Sequence, residues 1–324
     1  MPALIITTAV LAAFLIAVSI TLLICFSKVF YSSRKPEKDE YPTPPGAEYD
    51  PYREKMIEWI KEIRKLPHED VQIKSYDGLT LKGKYYKKYE SAPIEILFHG
   101  YRGTSERDLC GGVERCFNLG RNALIVDHRA AGRSEGRVIT FGAKESLDCI
   151  RWVDFVINNI DKNAKIILTG ISMGAATVMI AASMPLPKNV VGILADCGYT
   201  STEEIIKKVL SDMKLPPKLL YPFVRLSAII FGGFDPNKLS PISSMKKCKL
   251  PILFFHGDAD DFVPLYMSEK NYDACASTYK KLVIVPGAAH GLAFPKDMES
   301  YYKEAESFFL PITGESVLEG ESDT

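Results

Sequence analysis

Apolar residues are laid out in several distinct patterns along the chain, and each pattern predicts a different element. From Ala3 to Phe26 no charged side chain occurs; as a helix, that stretch is long enough to cross a ~30 Å hydrocarbon core. Between residues 52 and 66, Met56, Ile60 and Ile63 recur at helical spacing with Trp59 and Leu66 beside them, which predicts an amphipathic lead-in helix with one core-facing stripe. The run V-Q-I-K-S-Y-D-G-L-T-L-K-G-K-Y-Y then alternates apolar and polar residues about Asp77-Gly78, the signature of a β-hairpin.

Beyond the hairpin, short continuous apolar runs at 94–98, 123–127, 165–169, 190–195, 252–255 and 282–285 are separated by helical stretches. Strands with no polar alternation are buried on both faces, so a mostly parallel sheet flanked by helices is expected, an α/β architecture. The interval from about 198 to 245 is too long for one crossover and carries L-P-P-K-L-L-Y-P-F-V-R-L-S-A-I-I-F-G-G-F. A small helical lid is expected there. The domain organisation that follows is a membrane anchor over 1–30, a proline- and charge-rich linker over 31–51 that holds the domain off the bilayer, a catalytic domain over 52–312, and an acidic, disordered tail over 313–324.

The N-terminal run has no basic n-region, is too long for a signal-peptide core and ends at no small-residue cleavage site, so a retained single span is expected rather than a cleaved leader. A lipoprotein box also fails, because Ile24 precedes Cys25. Lys28, Arg34, Lys35 and Lys38 follow the span and no basic residue precedes it, which puts the domain on the cytoplasmic side; an exported domain is the alternative.

Lys+Arg and Asp+Glu are equal at 40 each, leaving no overall basic field to attract nucleic acid. The seven cysteines are odd in number and include no C-x-x-C pair; they are expected as reduced core thiols rather than as a disulfide framework or metal site. H-E-x-x-H, a Walker loop and a post-strand G-x-G-x-x-G are all missing from the sequence, so the chemistry is expected to need neither metal nor organic cofactor.

Gly170-Ile171-Ser172-Met173-Gly174 matches G-x-S-x-G, the elbow in which a strand turns sharply into a helix and presents a serine hydroxyl. The pentapeptide alone is weak; the strand K-I-I-L-T running into it and A-A-T-V-M-I-A-A running out of it supply the context. A serine needs a base within hydrogen-bond reach, and the base needs a third group to fix its tautomer. His290, in P-G-A-A-H-G after the last strand, fits the chain order serine, acid, histidine. For the acid, Asp258, Asp260 and Asp261 all follow the strand F-F-H-G, and Asp196 ends the preceding one. His68 and His128 lie upstream of the serine and are expected in solvated or packing roles.

The run H-G-D-A-D-D-F-V-P resembles the H-G-x-x-D-x-x-V-P signature of the α/β-hydrolases, and F-H-G-Y-R-G and D-H-R-A-A-G-R-S-E-G resemble that superfamily's H-G-x-x-G and D-x-R-G-x-G-x-S segments. Over residues 52–312 the chain is similar to membrane-anchored bacterial members of the superfamily, of the bud-emergence and depalmitoylating thioesterase-like type. The resemblance implies the α/β-hydrolase fold and a triad of Ser172, His290 and Asp260, with Asp196 the second choice of acid. It also implies an oxyanion hole made by the backbone amides of Tyr101 and Met173, with His99 structural and Asp127 and Arg129 bracing loops. Ester or thioester hydrolysis through an acyl-enzyme is what it implies chemically. A peptidase or amidase with the same triad, and a non-catalytic interaction protein on the same fold, are the alternatives. The lid residues Leu219, Leu220, Tyr221, Phe223, Ile229, Ile230 and Phe231 suggest an acyl or lipid-like substrate; plain burial on the domain is the competing reading.

Overall fold

The computed structural model describes residues 2–33 and 39–314. In chain order it contains α1 (Pro2–Val29), α2 (Arg53–Lys65), β1 (Glu69–Lys74), β2 (Thr80–Tyr86), β3 (Ile94–Phe98), α3 (Ser105–Asn118), β4 (Asn122–Val126) and α4 (Glu145–Phe155). Then come β5 (Ile166–Ile171), α5 (Met173–Ala181), β6 (Val190–Asp196), α6 (Thr202–Asp212), α7 (Pro217–Ser227) and α8 (Pro241–Met245). The chain closes with β7 (Ile252–Gly257), α9 (Tyr266–Ala274), β8 (Lys280–Val285), α10 (Ala293–Lys296) and α11 (Met298–Thr313).

The strands form one sheet in the order β1-β2-β4-β3-β5-β6-β7-β8. The two antiparallel ladders, β1 with β2 and β2 with β4, stand at one edge, and every other pairing is parallel. Gly78, at φ +91°, makes the hairpin turn expected at Asp77-Gly78. On one face α4, α5 and α8 close a core with Ile96, Phe98, Leu168 and Phe254. On the other, α2, α3 and α11 pack over Leu97, Ile125, Ile167 and Phe255. The strands are buried from both sides, which is why their sequences lack polar alternation.

A cluster of three charged side chains sits inside that second layer. Glu95, in the middle of β3, is fully buried and paired with Arg115 of α3 and with Arg121, whose Nη1 donates at 2.8 Å; the Thr169 hydroxyl donates to it at 2.7 Å. The two guanidiniums keep the carboxyl ionised against its burial.

The interval 198–245 holds α6, α7 and α8, joined to β6 and β7. Two segments behave differently from the spacer expected over 31–51. Phe30 is fully buried, its carbonyl accepts from the Ile139 amide at 2.8 Å, Tyr31 bridges Val138, and the Ser32 amide donates to Arg137. Residues 47–52 form a 3₁₀ turn leading directly into α2, with Tyr49 buried. Both ends of the segment are therefore packed on the domain: its aromatic residues find apolar partners there, which the average polarity of the stretch conceals. Residues 34–38 and the acidic tail from 315 lie outside the described residues.

Candidate active site

Three parallel strands converge on one serine. β5 ends at Ile171 and α5 starts at Met173, leaving Ser172 as the turn residue at φ 56°, ψ −113°. A non-glycine residue held there stores on the order of 1–3 kcal/mol and persists only where its surroundings impose it. The imposition is visible: a Cβ on Gly170 would lie 2.1 Å from the Gly174 carbonyl, and one on Gly174 would lie 2.0 Å from the Phe98 oxygen. Only glycines permit so close an approach of α5 to β5 and β3, and the Ser172 amide is tied to the Asp196 carbonyl at 2.8 Å.

The Ser172 Oγ lies 2.9 Å from His290 Nε2, and His290 Nδ1 lies 2.7 Å from Asp260 Oδ2. His290 follows β8 and Asp260 follows β7, so both reach the serine from the carboxyl ends of neighbouring strands, where open α/β sheets place their ligand sites. Asp260 Oδ1 accepts from the amides of Phe262 and Val263 at 3.0 and 2.8 Å. His256 stands behind it: its Nε2 faces the Val263 carbonyl at 2.7 Å and Asp260 Oδ2 at 3.3 Å, while Nδ1 faces the Ser268 hydroxyl at 2.6 Å. Burial acts to push the Asp260 carboxyl up, but hydrogen bonds from His256 and His290, and their charge, outweigh it and hold it at about 2. An ionised carboxylate at that position fixes the imidazole tautomer whose Nε2 can accept the serine proton.

The other carboxylates named from sequence are placed elsewhere. Asp196 accepts from the Tyr301 hydroxyl at 3.1 Å, and its second oxygen is buried without a partner among the described residues; burial pushes it up to about 6. Asp258 accepts from the Gly287 amide at 2.6 Å, and Asp261 is exposed. Neither is hydrogen-bonded to His290 among the described residues.

Met173 opens α5, where the first amides of a helix have no partner within it. Tyr101 follows Gly100, and a Cβ on Gly100 would lie 3.6 Å from the Ser172 Cβ, so this loop runs directly alongside the serine. The loop is braced from three directions. Asp108 of α3 accepts from the Gly100 amide at 3.1 Å. His99, fully buried, faces the Gly100 carbonyl through Nδ1 at 2.7 Å and accepts from the His128 amide through Nε2 at 3.0 Å. Asp127 accepts from the amides of Ser105 and Arg133 at 2.9 and 3.0 Å. Arg129 turns away from Asp127 and forks onto Asp148 at 2.7 Å and Asp77 at 2.9 Å. Ala130, where the related motif carries glycine, keeps the left-handed conformation at φ 63°.

A cavity of ≈ 360 Å³ opens on Ser172 and His290 and is lined by Trp59, Leu109 and Phe294 as well as by Arg102, Arg107 and Asp196.

The C-terminal part of the chain, residues 235–316, matches the Prolyl oligopeptidase family. Among curated relatives, the YqkD protein of Bacillus subtilis is 27% identical over 237 residues, covering 73% of this chain and 77% of its own. The bem46 protein of Schizosaccharomyces pombe is 25% identical, with 69% and 71% covered. Among solved structures, the Pyrococcus furiosus esterase Pf2001 superposes with a TM-score of 0.65 at 23% identity, covering 78% of this chain and 94% of the esterase. Est1E of Butyrivibrio proteoclasticus, solved with ferulic acid bound, superposes with a TM-score of 0.57 at 22% identity, covering 76% of this chain and all of Est1E. The chain has the α/β-hydrolase fold.

Within this hydrolase fold, three residues around the site were not singled out from the sequence. The Tyr49 hydroxyl donates to the His290 carbonyl at 2.9 Å, and Pro44, Pro45 and Glu48 beside it line the cavity. His256 sat in plain view in F-F-H-G-D, but its contact with Asp260 depends on the loop folding back to Val263. Cys197, at φ 45°, brings its thiol close enough that one donor atom each from Cys197, Asp260 and His290 fall within 4.8 Å of one another. Burial pushes this thiol far up, so it stands beside the carboxylate as a neutral group.

Proposed function

We propose that the protein is a serine hydrolase that cleaves carboxylic esters or thioesters through an acyl-enzyme, held at a membrane by α1 with its catalytic domain on the cytoplasmic side. Ser172 is the nucleophile, His290 the general base, Asp260 the orienting acid, and the Tyr101 and Met173 amides the oxyanion donors. The observation that carries the reading is the unbroken line from the strained Ser172 through His290 to Asp260, with contacts of 2.9 and 2.7 Å.

In the first half-reaction Ser172 Oγ attacks the acyl carbon while its proton passes to His290 Nε2. The carbonyl electrons move onto oxygen, facing the two amides, each donor worth about 2.7–4 kcal/mol in such sites. Collapse breaks the bond to the alcohol or thiol, which leaves with the proton from His290. A water activated by the same ring then attacks the Ser172 ester, releases the acid and restores the hydroxyl. Transfer of the proton through a positioned imidazole contributes on the order of 10² to 10⁴ in rate.

Retention of α1 is supported by the packing of its carboxyl end: Cys25, Phe26 and Val29 pack against the buried cluster that contains Phe30, and cleavage just before it would strip that cluster of their contacts. A peptidase or amidase reading is favoured by one observation, the family match over 235–316, which includes both Asp260 and His290.

Turnover of matched ester, thioester and peptide-amide substrates by purified full-length protein tests these readings. Ester or thioester turnover lost in Ser172→Ala supports the proposal. Turnover confined to the amide favours the peptidase, and turnover retained in the variant overturns the triad.

A further inference from the structure

The outward side of α7 carries a run of exposed apolar side chains between Lys218 and Arg225. Tyr221, Val224 and Ser227 point inward and are buried. Leu219, Pro222, Phe223, Leu226, Ile229 and Ile230 follow one another at helical spacing on the other side, with Leu219 63% and Ile230 55% exposed. Exposed apolar residues flanked by cations are the make-up of a helix lying in an interface, and a contiguous exposed apolar patch marks something that covers it.

The packing of α1 says what covers this one. α1 runs along α7 and the turn that follows it, where the Phe26 and Phe231 rings lie 5.5 Å apart. From Pro2 to Ala17 α1 is exposed on all sides, a rise of about 24 Å at ~1.5 Å per residue. Exposed apolar surface continues past Leu22, the first buried residue of the helix: Leu23 and Ile24 are still more than half exposed. Phe26, which meets the turn after α7, is one helical turn further on. A boundary that keeps Leu23 and Ile24 in hydrocarbon passes within one helical turn of Phe26, and so beside the turn after α7.

We infer that α7 is an interfacial helix whose outer face lies in the same bilayer that holds α1, and that the site takes acyl esters or thioesters presented from that bilayer. The inference rests on the membrane-anchor and hydrolase readings above. The rim of the cavity agrees with it. The Tyr101 hydroxyl donates to the Val29 carbonyl at 2.7 Å, and Arg102 Nη2 donates to the Lys28 carbonyl at 2.8 Å, so two lining residues are fastened to the end of α1. Val29 lies about 10 Å beyond Leu22 along the helix, at head-group depth. A substrate whose chain stays in the hydrocarbon would offer its scissile carbonyl near that level.

Spin labels on the full-length protein in phosphatidylcholine–phosphatidylglycerol vesicles test this, in a background in which Cys25 is replaced by serine. Cysteines are placed singly at Leu226, at Ile230, at Leu11 of α1 and at Lys303 of α11. Labels at 11, 226 and 230 are expected to relax with oxygen in preference to a water-soluble nickel chelate, and the label at 303 the reverse. Nickel preference at 226 and 230 with oxygen preference at 11 would overturn the inference and leave the anchor standing. Nickel preference at 11 as well would sink the anchor reading and the inference with it. Labels at 226 and 230 shielded from both agents would mean a protein covers the stripe, and would also overturn it. As a functional arm, Leu226→Ser with Ile230→Ser is expected to lower turnover of a vesicle-borne long-chain thioester on the order of tenfold relative to a water-soluble short-chain ester; an unchanged ratio would overturn delivery from the bilayer.

Discussion

Two aspartates at the carboxyl ends of adjacent strands, Asp196 on β6 and Asp260 after β7, are driven in opposite directions by their surroundings. Asp260 receives two backbone amides and faces two imidazoles, and its carboxyl is held at about 2. Asp196 is buried with one oxygen unpartnered and its carboxyl rises to about 6. An unfolded aspartate titrates near 3.9, so the signs differ. Asp260 contributes stability above about pH 4 that is lost as pH falls through about 2, whereas the contribution of Asp196 is full below about pH 4 and is lost as pH rises through about 6. Asp196→Asn should therefore stabilise the protein at pH 8 by on the order of 2 kcal/mol and change little at pH 4.5, measured as the pH dependence of the difference in denaturation midpoint. Activity separates the two by role: Asp260→Asn should lower kcat by on the order of 10³ to 10⁴, and Asp196→Asn should leave most of it. An Asp196 variant as inactive as the Asp260 variant would move the acid to β6. Ser172 was legible because its glycines are sterically required within five residues. His290 and Asp260 were legible because the fold fixes their order along the chain. Tyr49 was not: it lies in a stretch whose prolines and charges describe the average residue, while its contact with the His290 carbonyl is made across the whole fold.

Elements carry the next level of the account. The strand I-E-I-L-F was readable as a buried strand, but nothing local told that its glutamate would stay inside. Its partners Arg115 and Arg121 come from α3 and the turn after it, and only the packing of that helix brings them to β3. Removing one member of such a buried group strands the others, so Glu95→Ala should cost about 3–5 kcal/mol in chemical denaturation. The end of α1 behaves like a core element rather than a tether. The Phe30 ring lies 5.8 Å from that of Phe141 and 5.4 Å from that of Phe234 and is fully buried. Phe30→Ala should destabilise the detergent-solubilised protein by about 3–5 kcal/mol, and an effect under 1 kcal/mol would mean that the end of the anchor does not complete the core. The apolar run up to Phe26 marked α1, but where the helix begins to pack on the domain could not be read from hydropathy, because lipid and a protein core select the same side chains.

Across the whole molecule the sheet gathers the candidate site residues at one end. β3, β5, β6, β7 and β8 run parallel, so the loop of Tyr101, the serine turn, Asp196, Asp260 and His290 all emerge from the same edge. Alternation of apolar strand and helix was enough to anticipate that topology, and the edge hairpin was marked by Asp77-Gly78. The relation between α1, α7 and the cavity was out of reach of the sequence, since it depends on contacts between segments nearly 200 residues apart. The central claim is that Ser172, activated by His290, is the atom that takes the acyl group. Labelling of the full-length protein with a fluorophosphonate, followed by mass spectrometry of its peptides, tests it most directly. The account predicts a single adduct on Ser172, abolished in Ser172→Ala and slowed on the order of 10³-fold or more in His290→Ala. An adduct on another residue, or labelling that persists in Ser172→Ala, would contradict it.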